Sequence, residues 1–109
     1  MENQKITIVL SGGNIRNNHF YLSDHISAFP DDVIGGSSRK TSAPKAVTIE
    51  WGQDNKVITD IAGDKKIFRE RKWVGELFKT YQLKEGDKII LEKIDPYFYR
   101  VYPVKCSVG

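Results

Sequence analysis

The sequence predicts a mostly β fold in which seven short strands form a mostly antiparallel barrel with two short helices. Segments that favour strands recur along the whole chain, and they are 5–10, 19–22, 46–52, 56–61, 66–71, 88–94 and 97–104. Only two segments are typical of helices, and they do not alternate with the strands as a parallel α/β sheet would require. Many short strands without that alternation favour a barrel.

Length and composition are those of one small domain. The chain has 109 residues, of which 39% are hydrophobic and 28% are charged, enough for a single core but not for two folds. No run is long enough for a membrane span or a signal peptide, so we expect a cytoplasmic protein with no membrane partner. Cys106 is the only cysteine and the chain has two histidines. We therefore expect neither a disulfide, nor a metal site, nor another cofactor.

The strands are predicted from alternating apolar residues. Ile6, Ile8 and Leu10 alternate with Thr7 and Val9 in the first strand. Ile49 and Trp51 alternate with Thr48 and Glu50 in 46–52. A turn at 53–55 then leads into the return strand 56–61. In the last strand, alternation places Tyr99 on one face and its neighbours on the other.

The two helices have different signals. Ser23 can cap a short helix over 24–29, which Pro30 ends. The second helix is predicted from the spacing i, i+3, i+4 and i+7, which places four apolar side chains on one stripe. These are Val74, Leu77, Phe78 and Tyr81.

Positive charge is concentrated just before the second helix. Residues 64–72 contain five basic and two acidic residues, a net charge of +3, which equals the formal net charge of the whole chain. Such a cluster is typical of a protein that binds nucleic acid.

The segment from this cluster to the next strand resembles a known family. It combines a basic strand, Lys72-Trp73, a helix with Leu77-Phe78-Lys79, and the motif Leu83-Lys84-Glu85-Gly86-Asp87-Lys88-Ile89. This order resembles the second half of the DNA-binding pseudobarrel called the plant-type B-three domain, which plant transcription factors share with the DNA-recognition domains of some restriction endonucleases. The resemblance extends more loosely over residues 5–104.

The chain is more similar to the bacterial branch of this family. Plant members usually carry Gly-Trp before the helix, where this chain has Trp73-Val74. The segments that give the bacterial resemblance are Phe29-Pro30-Asp31-Asp32, Ile34-Gly35-Gly36, Thr59-Asp60-Ile61 and Phe68-Arg69-Glu70-Arg71. The resemblance implies a seven-stranded open pseudobarrel over 1–109 that binds double-stranded DNA specifically through two arms in the major groove. It also implies a domain without its own active site, and leaves open a covalently linked nuclease domain in a longer restriction enzyme.

The resemblance places the first DNA-contacting arm between the first two predicted strands. We expect a loop here, rich in Gly and Asn, although a plain surface hairpin loop would have the same composition. An Arg can bind guanine and an Asn can bind adenine through two hydrogen bonds each. The expected contact residues of this arm are Ser11, Gly12, Gly13, Asn14, Arg16, Asn17, Asn18 and His19.

The second arm is expected at the hairpin that follows strand 56–61. Arg69 and Arg71 lie two residues apart and so share one face of the predicted strand 66–71, where an exposed ion pair is the ordinary alternative to a DNA contact. The expected contact residues of this arm are Asp60, Gly63, Asp64, Lys65, Lys66, Arg69 and Arg71.

A third segment, the loop 34–45, is polar, basic and rich in Gly and Ser. Such composition is usual for a flexible connector, but hydroxyl groups and basic side chains also bind phosphates. The candidate phosphate contacts are Ser37, Ser38, Arg39, Lys40 and Lys45.

Two other functions are weighed against DNA binding. Asp31, Glu70 and Lys72 have the order of residues found in Mg²⁺-dependent nucleases, in which two carboxylates hold the metal. Tyr97, Tyr99 and Tyr102 could instead form a stacking surface for a peptide or a single strand. Neither a nucleophile with an ordered His and acid nor a phosphate-binding Gly-Lys loop is present in the sequence. We expect no small-molecule substrate.

Overall fold

The computed structural model describes residues 3–52 and 54–104, with the side chain of Arg39 outside the described part. Within these residues the chain forms eight strands in two sheets and two α-helices. The strands are β1 (Lys5–Val9), β2 (Ile34–Gly35), β3 (Val47–Trp51), β4 (Asn55–Thr59), β5 (Ile61–Ala62), β6 (Ile67–Phe68), β7 (Lys88–Asp95) and β8 (Phe98–Val104). The α-helices are α1 (Gly12–Asn17) and α2 (Lys72–Thr80), and 3-10 helices cover Ser23–Ala28, Asp31–Val33 and Arg39–Thr41.

The larger sheet has five strands in the order β1-β7-β8-β3-β4. β1 with β7, β7 with β8, and β3 with β4 pair antiparallel, whereas β3 pairs parallel to β8. The expected alternation is present, because β3 buries Val47, Ile49 and Trp51 and leaves the residues between them half-buried. The larger sheet is thus mainly antiparallel with one parallel pair. The whole fold contains both strands and helices, and strands dominate.

The smaller sheet has three short strands in the order β2-β5-β6. It continues from the larger sheet at Asp60, which lies between β4 and β5. The backbone N–H of Arg69 donates to the Asp60 carbonyl at 2.9 Å, and that of Glu70 donates to the Thr59 hydroxyl at 3.0 Å. These two bonds join the sheets at a corner, but in the described residues no strand pairing closes them into a barrel.

Helix α2 covers the core that the sheets form. Trp73, Val74, Leu77 and Phe78 are all buried. The last three belong to the predicted apolar stripe. The ring of Trp73 contacts Phe68 and Phe20, with ring centroids 5.8 and 6.2 Å apart. In the described residues no helix is both long and apolar enough to cross a membrane.

The turn after α2 requires both the glycine at position 86 and the carboxylate of Asp87. Gly86 has a φ of +95°, which favours glycine because a Cβ is strained there. The buried Asp87 carboxylate accepts the backbone N–H of Lys84 at 2.9 Å. Backbone bonds at 2.8 Å from Gly86 to Leu10 and from Leu10 to Asp87 then fix the turn against the end of β1.

Two predictions about the first half of the chain were wrong, and a third, the short helix before Pro30, was right except for its cap. The segment expected to be a loop at 11–18 contains helix α1. The segment 19–22 forms no strand in the described residues; Leu22 instead donates its N–H to the Lys66 carbonyl at 2.7 Å. The helix expected at 24–29 is a 3-10 helix over Ser23–Ala28, and its N-cap position is Leu22, with no side-chain cap. Ser23 therefore does not act as the cap.

The strand predicted at 66–71 was also wrong in extent. Only Ile67–Phe68 pairs in a sheet, since the corner bonds take up the backbone of the next two residues and α2 begins at Lys72. The loop 34–45 contains strand β2 and a 3-10 helix. Gln53 of the predicted turn and Cys106 lie outside the described residues.

Candidate nucleic-acid interface

Helix α1 forms because its first residues cap each other. The Ser11 hydroxyl accepts the backbone N–H of Asn14 at 3.1 Å, and the Asn14 side-chain oxygen accepts the backbone N–H of Ser11 at 2.9 Å. This reciprocal capping box offsets the low helix propensity of Gly12 and Gly13. Asn14 is buried, so its amide supports the first arm from inside.

Two other polar residues of the first arm lie on the surface of α1. Asn17 is exposed, but its amide donates to the Gly13 carbonyl at 3.0 Å. Arg16 is exposed, and its guanidinium lies beside Gly12, where an added Cβ would meet Arg16 Nη1 at 3.1 Å and Glu85 Oε1 at 3.2 Å. The Arg16 guanidinium therefore lies near the start of α1, close to the acidic side chain of Glu85 from the turn after α2.

The residues after α1 run towards the beginning of α2. Asn18 adopts the left-handed conformation with a φ of 52°, and it is exposed. An added Cβ on Gly75 would lie 3.0 Å from the Asn18 side-chain Cγ, so the amide packs directly on α2. Phe20 is buried, whereas Tyr21 is 52% exposed and its ring lies 4.9 Å from the His19 ring. The first arm thus contacts the first turn of α2 through Asn18, and the exposed Tyr21 ring lies beside His19.

The turn 63–66 between β5 and β6 carries the tip of the second arm. Asp64 and Lys65 are exposed there, and Lys66 has a φ of 56°. The Lys66 ammonium donates to the Gly63 carbonyl at 3.5 Å, while the Lys66 carbonyl accepts the N–H of Leu22. This last bond attaches the tip of the second arm to the first arm.

Asp60 and Arg69 form a buried ion pair and not an exposed contact pair. Arg69 Nε donates to Asp60 Oδ1 at 2.7 Å and Nη2 donates to Oδ2 at 3.0 Å, and each side chain is only 9% exposed. Burial disfavours the charged carboxylate, but the hydrogen bonds from Arg69 and from the Ala43 N–H outweigh burial and lower the pKa of Asp60. The bond to Asp60 likewise raises the pKa of Arg69.

The same ion pair holds the third segment in place. Ala43 donates its backbone N–H to Asp60 Oδ2 at 2.8 Å, and Arg69 Nη2 donates to the Gly36 carbonyl at 2.9 Å. The predicted phosphate loop is therefore attached at both ends to the second arm. The Asp60–Arg69 pair therefore holds this loop in place. The alternative considered from the sequence for Arg69 and Arg71 was an exposed ion pair, not a buried one.

The candidate phosphate contacts in this loop differ in their surroundings. Ser37, Ser38 and Lys40 are exposed, and the backbone N–H of Ser38 donates to the Thr41 hydroxyl at 3.2 Å. The Lys45 ammonium instead lies 3.7 Å from the Asp32 carboxylate and 5.1 Å from the Tyr97 ring centroid. The Arg39 side chain lies outside the described part.

His19 marks the place where the two arms converge. Burial is the main cause that lowers the pKa of its imidazole, and the charges of Arg71 and Lys65 lower it further. Nδ1 of His19 is buried and has no hydrogen-bond partner among the described residues. The imidazole therefore lies in a field of positive charge to which α2 and the turn 63–66 both contribute.

The residues of the two alternative functions do not come together in the same way. Tyr99 is fully buried and Tyr97 donates to Asp32 at 2.9 Å, so the tyrosines share no exposed face. Glu70 and Lys72 line a groove of about 310 Å³ between β4 and α2, whereas Asp31 lies in the 3-10 helix Asp31–Val33. Among the described residues, no cluster of three or more His, Cys, Asp and Glu side chains is placed to hold a metal.

A scan against models of known protein families finds no match for this chain, and a search of curated proteins finds none either.

Sequence reasoning missed two residues of this surface. Tyr21 is the exposed aromatic residue beside His19, and its position between buried Phe20 and Leu22 was a signal that it points outward. Lys72 opens helix α2 next to Arg71, and both side chains are exposed. The structure thus brings parts of both predicted arms together at the N-terminus of α2.

Proposed function

We propose that this chain is a sequence-specific binding domain for double-stranded DNA, with an open pseudobarrel fold whose two arms enter the major groove. The observation that carries the proposal is that the segment 18–22 contacts both helix α2 and the turn 63–66. Asn18 packs against Gly75 of α2, and Leu22 donates its backbone N–H to the Lys66 carbonyl at 2.7 Å. Separate basic residues on a small protein are common. Here the exposed Lys65 and Arg71 belong to the turn and the helix end that the segment 18–22 contacts, so the cations of the second arm lie beside the first arm.

Uncompensated positive charge supports this proposal. Lys65, Arg71 and Lys72 are exposed, and within the described residues none of them forms an ion pair. Duplex DNA carries closely spaced phosphates, and cations that neutralise them release counterions from the duplex. A face that combines unpaired cations with exposed amides is suited to this ligand.

We assign different contacts to different parts of the face. Lys65, Lys66 and Arg71 contact phosphates, because ammonium and guanidinium groups beside each other bind the backbone independently of sequence. Arg16 and Asn18 read base edges, since both side chains are exposed and both residue types can make paired hydrogen bonds to a base. The loop residues Ser37, Ser38 and Lys40 flank the face as further phosphate contacts.

The buried Asp60–Arg69 pair supports the interface indirectly. It connects the second arm to the loop 36–43 through Gly36 and Ala43. Segments that are already ordered lose less conformational entropy on binding, and so bind more tightly for the same contacts.

We further propose that the domain acts as the target-recognition part of a restriction endonuclease. In this proposal the catalytic domain lies elsewhere in a longer protein, and the domain itself binds duplex DNA without cutting it.

The proposal is tested by the salt dependence of binding to a short duplex of mixed sequence. Lys65→Gln and Arg71→Gln should each reduce the slope of log affinity against log salt by about one, because each removes one phosphate contact. Lys79→Gln is the matched control, since Lys79 is exposed in the last turn of α2, about 12 Å along the axis from Arg71. Equal slopes for all three variants and the wild type would remove this face from the interface.

A further inference from the structure

The His19 imidazole occupies a specific position within the proposed interface. Its own segment contributes the Tyr21 ring, 4.9 Å away. The adjacent Asn18 amide packs against Gly75 of α2, and Leu22 is bonded to the Lys66 carbonyl of the turn 63–66. The imidazole is therefore held where the first arm, the turn 63–66 and the N-terminus of α2 meet.

The charges that act on the imidazole come from the two neighbouring elements. Arg71 at the N-cap of α2 and Lys65 of the turn 63–66 both act on it, and both are cations. Burial and these two cations lower the pKa of His19 below its usual value of 6.5. The unliganded protein thus favours the neutral imidazole.

We propose that His19, Lys65 and Arg71 together form a site for one backbone phosphate, and that His19 takes up a proton when the phosphate binds. This inference rests on the proposed DNA-binding function and specifies one contact within it. A phosphate next to Arg71 and Lys65 neutralises the charge that opposes protonation and offers an oxygen to an imidazolium N–H. The His19 imidazole is therefore neutral in the free protein and protonated in the complex.

Proton uptake on binding has a defined sign. The affinity for DNA increases as the pH falls through the interval between the pKa of His19 in the complex and its lower pKa in the free protein. Within that interval the affinity changes by at most about tenfold per pH unit, since one proton is linked to one binding event. Without DNA the effect on stability is opposite. A depressed His pKa means that the unfolded chain binds the proton more readily, so folding stability is lost as the pH falls below about 6.5.

The experiment measures the affinity for a short mixed-sequence duplex between about pH 8 and pH 5.5 at constant ionic strength, within the range where histidine titrates. Wild type is compared with His19→Gln, which keeps a polar side chain but cannot be protonated. His25→Gln is the matched control, because His25 is the only other histidine in the chain. In parallel, the ring signals of His19 in the wild type are titrated by nuclear magnetic resonance with and without the duplex.

We expect wild type and His25→Gln to gain affinity in acid, His19→Gln to lose most of that gain, and the His19 pKa to rise when the duplex is bound. If the duplex binds but His19→Gln shows the same pH dependence as the wild type, and the His19 pKa does not rise, the phosphate site is refuted while DNA binding stands. If no variant binds the duplex at any pH, the proposed function itself is refuted.

Discussion

Replacing Arg69 by Met should destabilise the protein more than any substitution of an exposed cation. The change removes both hydrogen bonds to Asp60 and the bond to the Gly36 carbonyl, and leaves a carboxylate that is 9% exposed without its charge partner. Breaking a buried ion pair from one side costs about 3 to 5 kcal/mol. For a domain of this size, a loss of about 3 kcal/mol lowers the midpoint of thermal unfolding by roughly 12 to 24 °C.

Thermal and urea unfolding of three variants separates this effect from a general loss of charge. Arg100→Met is the matched control, because Arg100 pairs with Glu50 at 3.1 Å but is 49% exposed, and such surface pairs contribute about 0 to 1 kcal/mol. The double variant Asp60→Asn with Arg69→Met should be more stable than Arg69→Met alone, since no unpaired charge remains and an acceptor for Ala43 is kept. Equal, small losses for Arg69→Met and Arg100→Met would refute the reasoning.

Two further predictions concern stability. The pKa of Asp60 is lowered in the folded protein, so its contribution to folding stability is present above the ordinary value near 3.8 and is lost as the pH falls through the folded-state pKa. Urea unfolding between about pH 5 and pH 2 should show this loss of stability in wild type and a smaller loss in Asp60→Asn. Identical pH profiles for the two proteins would contradict the prediction. Ser11→Ala removes the acceptor for the Asn14 N–H and should lower the free energy of unfolding by about 0.5 to 2 kcal/mol. Ser27→Ala, at an exposed position, is the control. An equal change in the urea midpoint for both variants would argue against the capping role of Ser11.

Much of the fold could be predicted because it follows from local patterns. The alternation of apolar residues located β1, β3, β7 and β8 within about two residues, and the apolar stripe located helix α2. The expectation of a fold dominated by strands with few helices is confirmed, whereas the eight strands lie in two sheets that no strand pairing among the described residues closes into a barrel.

Other elements could not be predicted because their causes are not periodic. Helix α1 begins with two glycines, and only the reciprocal bonds between Ser11 and Asn14 show why it forms. Strands β2, β5 and β6 have two residues each, which is too short for alternation to show where a strand begins and ends. Of these three, only β6 lies wholly within a predicted strand, 66–71.

The candidate site was predicted as a list of residues but not as an arrangement. The resemblance placed Asp60, Lys65 and Arg69 in one arm, yet burial separates the ion pair from the exposed Lys65. The contacts of Asn18 with Gly75 and of Leu22 with Lys66 join segments far apart in sequence, and a single sequence contains no local signal for them. The DNA contacts themselves stay a prediction.

The central claim is sequence-specific binding of duplex DNA, and selection of bound duplexes from a random-sequence pool tests it most directly. We expect several rounds of selection with the wild-type protein to enrich one short sequence motif. The same selection with Arg16→Ala should lose preference at one position of that motif, because a bidentate contact to a base discriminates by about 1 to 3 kcal/mol. Recovery of duplexes without any enriched motif would contradict sequence-specific recognition, and failure to retain any duplex would contradict DNA binding.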